Sequence, residues 1–134
     1  MMMQTFQLRT RHRAQMIDIT AQVREAVQQA GAVDGLAVVY CPHTTAGITI
    51  NEGADPDVAR DILQHLDELY PWNHPQYRHS EGNSAAHLNA SALGASQAVP
   101  VVSGRLALGT WQTVYFCEFD GPRQRSFLVK VVKG

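Results

Sequence analysis

Six consecutive apolar residues at positions 36–41, LAVVYC, predict a strand inside a β-sheet. An unbroken apolar run of this length is typical of a central strand with a neighbour on each side. Shorter or alternating apolar runs predict further strands, at residues 5–9, 15–19, 47–52, 98–102, 105–119 with a break at Gly109, and 126–132. Asp120, Gly121 and Pro122 are predicted to form the turn between the last two strands.

Helical segments alternate with the first of these strands. Thr20, Asp55 and Asn83 are the predicted N-caps, and Pro56 suits the first position of the second helix. The helices are predicted at residues 21–30, 56–69 and 84–93, and a loop rich in aromatic residues and histidine is predicted at 70–82. Because hairpin-connected strands are expected to end the chain, the sequence predicts one α+β domain, residues 1–134, with a largely antiparallel sheet.

Composition narrows the class of function. The chain has 134 residues, with 11 Lys and Arg against 12 Asp and Glu and a net charge of −1. Without a basic cluster, a general electrostatic grip on nucleic acid or on an anionic membrane is not expected. A phosphate-bearing metabolite would have to be held by a few placed groups. Neither a bilayer-spanning segment nor a secretory signal is evident, so a cytoplasmic protein is predicted.

The two cysteines, Cys41 and Cys117, fall in strand-like runs and are interpreted as buried, structural residues. A disulfide is disfavoured because no secretory signal precedes them. Only Cys41 suits metal binding, because it lies two residues before His43.

Six histidines invite separate consideration. His12 and His65 are predicted to be surface residues, and His74 is ambiguous. His43 follows the predicted central strand and precedes two hydroxyl side chains, with Asn51 and Glu52 at the end of the next strand. Both a structural and a catalytic role remain open for His43. The two hydroxyl side chains that follow His43 belong to Thr44 and Thr45.

The segment 79–87, HSEGNSAAH, places His79 and Glu81 before a predicted helix and His87 one turn inside it. The helix start at Asn83 and Ser84 offers main-chain N–H groups and a positive dipole end, which suit a phosphate or carboxylate. The spacing of the two histidines is not a recognised metal motif, so a capping loop with surface histidines is the alternative. Imidazole and carboxylate ligands suit zinc or another first-row divalent ion. The expected cofactor is a divalent metal ion, zinc or magnesium. His43, His79 and His87 would supply three ligands if the fold brings them together.

Two further groups have alternative interpretations. Trp111 is predicted to be a core residue; alternatively, Trp111 and Gln112 form a wall for a heteroaromatic ring. Arg123 and Arg125 flank the predicted last turn, where they are either exposed charges or, if they point into a cleft, planar forks for phosphate.

Four ordered blocks of sequence resemble the YjbQ-type family, also called secondary thiamine-phosphate synthases. They are CPHTTAGITINE, DPDVARD, YRHSEGNSAAHLNASALG and VPVVSGRLALGTWQTVYFCEFDGPRQR. The resemblance implies an α+β fold, a homotrimer with sites near subunit contacts, and weak joining of a pyrimidine diphosphate to a thiazole phosphate. The family pattern maps onto His43, Thr44, Thr45, Asn51, Glu52, Asp55, Asp61, His79, Glu81, His87, Gly109, Trp111, Gln112 and Arg125.

Three functions are therefore hypothesised. The first is a transferase. Its phosphates are held by a divalent ion, by the helix start at Asn83 and Ser84, and by Thr44, Thr45 and Arg125. Trp111 and Gln112 contact the rings, and His79 donates a proton to the leaving group. In the second, a metal-dependent hydrolase of a phosphorylated or acylated metabolite, Glu52 or Glu81 is the general base. In the third, the protein is a trimer that binds a metabolite without catalysis.

Overall fold

A computed structural model describes residues 2–134. It contains eight strands and three helices within this range. The strands are β1 (Met2–Arg9), β2 (Gln15–Asp18), β3 (Gly35–Tyr40), β4 (Ala46–Glu52), β5 (Ser96–Val102), β6 (Arg105–Leu106), β7 (Gln112–Glu118) and β8 (Gln124–Lys133). The helices are α1 (Thr20–Ala30), α2 (Pro56–Leu69) and α3 (Ser84–Leu93).

The strands form two antiparallel sheets rather than one. The first sheet has the order β1-β8-β3-β5-β6, and the second has the order β2-β7-β4. β3 occupies the middle of the larger sheet and pairs with β5 and β8, as the apolar run at 36–41 predicted. The α+β class, the single domain and the antiparallel pairing are confirmed.

The main hydrophobic core lies between the two sheets and beneath α1. Phe127 and Val39 from the larger sheet pack with Phe116 and Ile48 from the smaller one, and Val23 contributes from α1. The smaller sheet turns its other face to α2 and α3. There Tyr115, Cys117 and Phe119 form a second cluster with residues of these helices. Alternation along β7 therefore supplies both cores, because successive side chains point to opposite faces.

The prediction that hairpin-connected strands end the chain is wrong for β7 and β8. β7 pairs with β2 and β4, whereas β8 pairs with β1 and β3, so the connection at residues 119–123 passes from one sheet to the other. Main-chain bonds hold this connection against the loop after β1: Gly121 donates to Arg13 at 3.1 Å, and Thr10 donates to Arg123 at 2.9 Å. Turn residues thus marked the break between the last two strands correctly but did not reveal which sheet each strand joins.

The helix caps were predicted from local sequence patterns, with mixed results. Asp55 caps α2 as predicted, since its carboxylate accepts a hydrogen bond from the Asp57 amide at 2.9 Å and Pro56 follows it. Asn83 is the N-cap residue of α3 as predicted, although its side chain makes no capping hydrogen bond. The cap prediction for Thr20 is wrong, because Ile19 is the N-cap residue of α1. Thr20 lies inside α1, and its hydroxyl accepts a hydrogen bond from the Val114 amide at 2.9 Å. α3 spans the predicted residues 84–93.

Both cysteines are free and buried, as expected. Burial raises the pKa of Cys41, and it raises the pKa of Cys117 to about 12, so neither thiol is primed for nucleophilic chemistry. Among the described residues, no helix has the length and apolar character needed to span a membrane.

Candidate functional site

The two histidines that flank the start of α3 lie side by side. His79 belongs to the loop before the helix, and His87 lies one turn inside it. Their ring centroids are 5.3 Å apart, and the rings meet edge to face at an interplanar angle of 83°. The loop-to-helix spacing in the sequence thus correctly predicted two imidazoles in one place.

These imidazoles line an open groove of about 670 Å³, here called the histidine groove. Its volume is in the range that takes a metabolite-sized ligand. The Glu81 carboxylate lies 4.0 Å from Nε2 of His79. Arg78 is exposed and belongs to none of the ion pairs within residues 2–134. The groove is lined by Gln76, Tyr77, Arg78, His79, Ser84, His87, Leu88 and Ser91.

Asn83 anchors the helix start behind this groove. Its side-chain amide donates to the Asp120 carboxylate at 2.9 Å, and its main-chain oxygen accepts from Ala86 at 3.0 Å. The side-chain oxygen of Asn83 is buried without a protein partner. Asp120 also accepts a hydrogen bond from Arg123 at 3.0 Å, so Arg123 helps to hold the carboxylate that binds Asn83. The anchor ties the groove to the connection between the two sheets.

His43 occupies a different environment. Its Nε2 atom lies 3.0 Å from the main-chain nitrogen of Ser126 and 3.1 Å from the Ser126 carbonyl oxygen. The β3–β8 pairing ends at Tyr40 and Leu128, so the imidazole satisfies main-chain groups of β8 that β3 no longer reaches. Burial, followed by the nearby positive charge of Arg125, lowers the pKa of His43. The ring is therefore held as a half-buried, neutral group at the end of the central strand.

Behind His43 lies a buried ion pair that the sequence analysis missed. Glu118 and Arg125 are 0% and 4% exposed, and the guanidinium binds both carboxylate oxygens. Arg125 also donates to the Thr45 hydroxyl at 2.8 Å, and Thr10 donates to Glu118 at 2.8 Å. Burial alone would raise the pKa of Glu118, but hydrogen bonds from Arg125, the Asp120 amide and Thr10 outweigh it and hold the pKa below its usual value.

This ion pair changes the interpretation of two predicted phosphate ligands. The fork of Arg125 is turned into the protein and matched to Glu118, and the Thr45 hydroxyl is occupied by Arg125. Both side chains are buried, which gives them a structural role in one chain. The one sequence signal for the pair was a charged residue, Glu118, inside the otherwise apolar strand of residues 114–119.

Other predicted residues lie at the surface. Trp111 is 63% exposed, so its assignment to the core is wrong. Its neighbour Gln112 accepts a hydrogen bond from the Gly109 amide at 2.8 Å and thereby closes the turn before β7. Glu52 accepts a hydrogen bond from the Asp55 amide at 3.2 Å, beside the start of α2. Exposure is also found for His12, His65, His74, Thr44, Asn51 and Asp61.

A metal site built from His43, His79 and His87 is not assembled by one chain. Residues 2–134 contain no group of three His, Cys, Asp or Glu side chains placed to hold an ion. Two of the three imidazoles meet at the histidine groove, whereas Nε2 of the third is directed at the Ser126 main chain. The geometry of the single chain therefore supports a paired-histidine groove rather than a three-histidine centre.

Comparison with known proteins gives consistent matches along nearly the whole chain. The family model described as "UPF0047 protein YjbQ-like" matches residues 4–134. The UPF0047 protein YugU of Bacillus subtilis is 57% identical over 131 residues, which cover 98% of this chain and 99% of the relative. A UPF0047 protein of Methanocaldococcus jannaschii is 48% identical, with 95% of this chain and 91% of the relative covered.

Solved structures agree with this match. A crystal structure of an uncharacterised conserved YjbQ/UPF0047 protein from Clostridium acetobutylicum has a TM-score of 0.94 at 55% identity, with 96% of this chain and 98% of that chain covered. A YjbQ-like protein of unknown function from Sulfolobus solfataricus has a TM-score of 0.95 at 32% identity, with 99% of this chain and 97% of that chain covered. The fold is therefore common to bacterial and archaeal relatives.

Proposed function

This chain belongs to the YjbQ-like UPF0047 family, and we propose that it is a cytoplasmic thiamine-phosphate synthase-like transferase whose reaction takes place in the histidine groove. Its substrates are a pyrimidine diphosphate and a thiazole phosphate. The observation that carries this proposal is the meeting of His79 and His87, with ring centroids 5.3 Å apart, in a groove that also presents Arg78.

The groove supports the binding of phosphorylated rings. Ser84 stands at the first turn of α3, where main-chain N–H groups lack helical acceptors and favour an anion. Arg78 adds a guanidinium, which suits phosphate oxygens. Tyr77 and Leu88 offer ring and aliphatic surface, and the Tyr77 hydroxyl is fixed by a 2.9 Å hydrogen bond to the Pro71 carbonyl. The groove therefore combines an anion-binding end with an apolar wall.

The reaction breaks one bond and forms one. The bond between the pyrimidine methylene carbon and the diphosphate oxygen breaks, and its electron pair leaves with pyrophosphate. The thiazole nitrogen donates its lone pair to that carbon and becomes positively charged. Protonated His79 gives its proton to the departing pyrophosphate, and Arg78 and the α3 start stabilise the negative charge that develops there. Holding both rings in contact supplies the remainder of the acceleration.

The sequence predicted a divalent ion, zinc or magnesium, at the site of this transferase. The two imidazoles of the groove suit zinc. A third ligand is lacking within residues 2–134, so the donors of one chain do not complete a site. No step of the proposed reaction is assigned to a metal ion.

We also propose that the chain assembles as a homotrimer through the outer face of the larger sheet. Five large apolar side chains on this face are substantially exposed: Met3 59%, Leu36 43%, Tyr40 44%, Val102 54% and Val132 37%. Leu36 pairs in register with Val132 and Pro100, so Leu36 and Val132 are neighbours on this face. An apolar surface of this kind is typical of a protein–protein interface.

A second candidate is favoured by one observation, the 4.0 Å separation between Glu81 and His79. A carboxylate beside an imidazole suits a hydrolase in which Glu81, one of the two predicted bases, directs a water at a phosphorylated or acylated metabolite. If such a hydrolase requires a metal ion, another subunit would have to complete the site.

Purified protein, incubated with both precursors and assayed for thiamine phosphate, tests the transferase directly. Product formation that is lost in His79→Ala and His87→Ala but retained in His65→Ala supports the proposal, since His65 is exposed on α2. Turnover of generic phosphate esters without thiamine phosphate would instead identify the hydrolase. Tight binding of a phosphorylated metabolite without turnover of any kind would identify a non-catalytic binding protein.

A further inference from the structure

A second groove lies between α1 and β6, and it shares no lining residue with the histidine groove. Its volume is about 600 Å³, which is adequate for a small organic ligand. The groove, here called the α1–β6 groove, is lined by Ala21, Arg24, Glu25, Val27, Gln28, Gly104, Arg105 and Leu106.

Two arginines line this groove from different elements. Arg24 comes from α1, and Arg105 comes from β6. Neither forms an ion pair within the part of the chain that the structure describes, although four other arginines do: Arg13, Arg60, Arg123 and Arg125. Glu25 is the one acidic residue of the lining, so the groove carries a surplus of positive charge.

Arg78, which lines the histidine groove, is likewise absent from these ion pairs.

The floor between these charges is apolar. Val27 is 2% exposed and belongs to the main core, and Leu106 packs against the same core. A ligand that fits must therefore bring negative charge to the rim and a small apolar body to the floor. A carboxylate or a phosphate matches the guanidinium forks, because both can accept two parallel hydrogen bonds.

The turn that presents Arg105 is held in an uncommon conformation. Ser103 and Gly104 both have positive φ, at 53° and 78°. This is routine for glycine but infrequent for serine. The Gly104 amide donates to the Val33 carbonyl at 2.8 Å, which fixes the turn against the segment after α1. Arg105 therefore projects from a rigid turn rather than from a loose loop.

We propose that the α1–β6 groove is a second binding site, which takes a small organic oxyanion, a carboxylate or phosphate on an apolar body. This site is independent of the transferase proposal, since it uses none of the residues of the histidine groove. Occupation of the groove would bridge α1 to the edge strand of the larger sheet.

The test is a titration followed by the amide resonances of the full-length protein, with phenyl phosphate and benzoate as separate probes. Inorganic phosphate tests the charge without the apolar body, and benzyl alcohol tests the apolar body without charge. Saturable shifts in α1 and at Gly104, Arg105 and Leu106 with phenyl phosphate or benzoate are expected. Shifts from only one of the two probes identify whether phosphate or carboxylate is the preferred anion.

The matched variants are Arg24→Gln and Arg105→Gln, with Arg60→Gln, at an exposed position on α2, as the control. Each groove variant is expected to weaken binding at least about tenfold, as for the loss of one charge-assisted hydrogen bond, and the control is expected to bind like the wild type. Equal binding by all variants, equal shifts from benzyl alcohol, or shifts confined to the histidine groove would overturn the proposal.

Discussion

The Nε2 atom of His43 lies within hydrogen-bond distance of both the main-chain nitrogen of Ser126, at 3.0 Å, and its carbonyl oxygen, at 3.1 Å. The nitrogen can only donate and the oxygen can only accept. Ser126 therefore supports the imidazole with its proton on Nδ1 or on Nε2, without movement of the ring. In either state Nδ1 is the nitrogen left to face a ligand. His43, for which the sequence left a structural and a catalytic role open, is thus a structural link whose Nδ1 makes no hydrogen bond within residues 2–134.

The surroundings of His43 predict how it titrates. Burial and the positive charge of Arg125 lower its pKa, so the ring should remain neutral to a pH below 6.5, the usual value for histidine. Because the unfolded chain then binds more protons than the folded one, the associated stability is present above pH 6.5 and is lost as the pH falls. Nitrogen-15 spectra of the imidazoles, recorded as the pH is varied, would measure both the titration midpoint of His43 and its tautomer. Ser126→Ala, which keeps the main-chain groups, is the control and should leave both unchanged.

Glu118 and Arg125 are predicted to be the most sensitive polar pair in the protein. Glu118→Gln leaves a buried guanidinium without its carboxylate, and the expected loss is about 3–5 kcal/mol in the free energy of unfolding. The double variant Glu118→Gln, Arg125→Met should lose less than the sum of the two single changes, because it removes both charges. Denaturant unfolding provides the measurement. Arg60→Ala, which removes an exposed pair with Asp57, should change stability by no more than about 1 kcal/mol.

The same pair predicts a pH dependence of stability. The folded pKa of Glu118 lies below the value of 4.5 for a free glutamate. Its contribution is therefore fully present above the pKa of the unfolded state and is lost as the pH falls through the lower folded value. Unfolding curves of Glu118→Gln and the wild type should converge as the acid limit is approached. A constant difference between them at every pH would contradict this account.

Gly47 is predicted to control the seating of α3. A Cβ atom at this position would lie 2.7 Å from the Gly94 carbonyl oxygen, which also accepts a hydrogen bond from the Ile48 amide at 3.1 Å. Gly47→Ala should therefore push α3 away from β4 and cost about 1–3 kcal/mol. Amide exchange in α3 and thermal unfolding would show the effect. Gly109→Ala is the matched control, since its Cβ would meet only the flexible Gln112 side chain at 3.5 Å.

The proposed trimer predicts that charge on the outer face of the larger sheet will dissociate it. Leu36→Asp and Tyr40→Asp place carboxylates on the exposed apolar surface and should shift the protein to monomers in sedimentation experiments. Val33→Asp is the control, because Val33 is 63% exposed in the segment before β3. A wild-type protein that sediments as a monomer at micromolar concentration would refute the assembly.

The sequence correctly predicted features that depend on residues close to one another along the chain. The predicted helix over residues 84–93 was correct. The prediction that the loop before this helix and its first turn bring His79 and His87 together was also correct. The sequence did not show that β7 and β8 join different sheets. Turn residues mark where one strand ends and the next begins, but they do not show which strand either one pairs with. The Glu118–Arg125 pair was missed for a related reason, since its meaning depends on which face of each strand is buried. Trp111 was misplaced because a large aromatic residue in a turn carries no signal of burial.

The most direct test of the proposed site is the binding of the pyrimidine diphosphate substrate, measured by calorimetry without the thiazole partner. Wild-type protein should bind it, and Arg78→Gln and His87→Ala should each weaken binding at least about tenfold, the factor for one lost charge-assisted contact. His65→Ala, on the exposed face of α2, should bind like the wild type. Equal affinities for all four proteins would show that the histidine groove is not where the phosphorylated substrate binds.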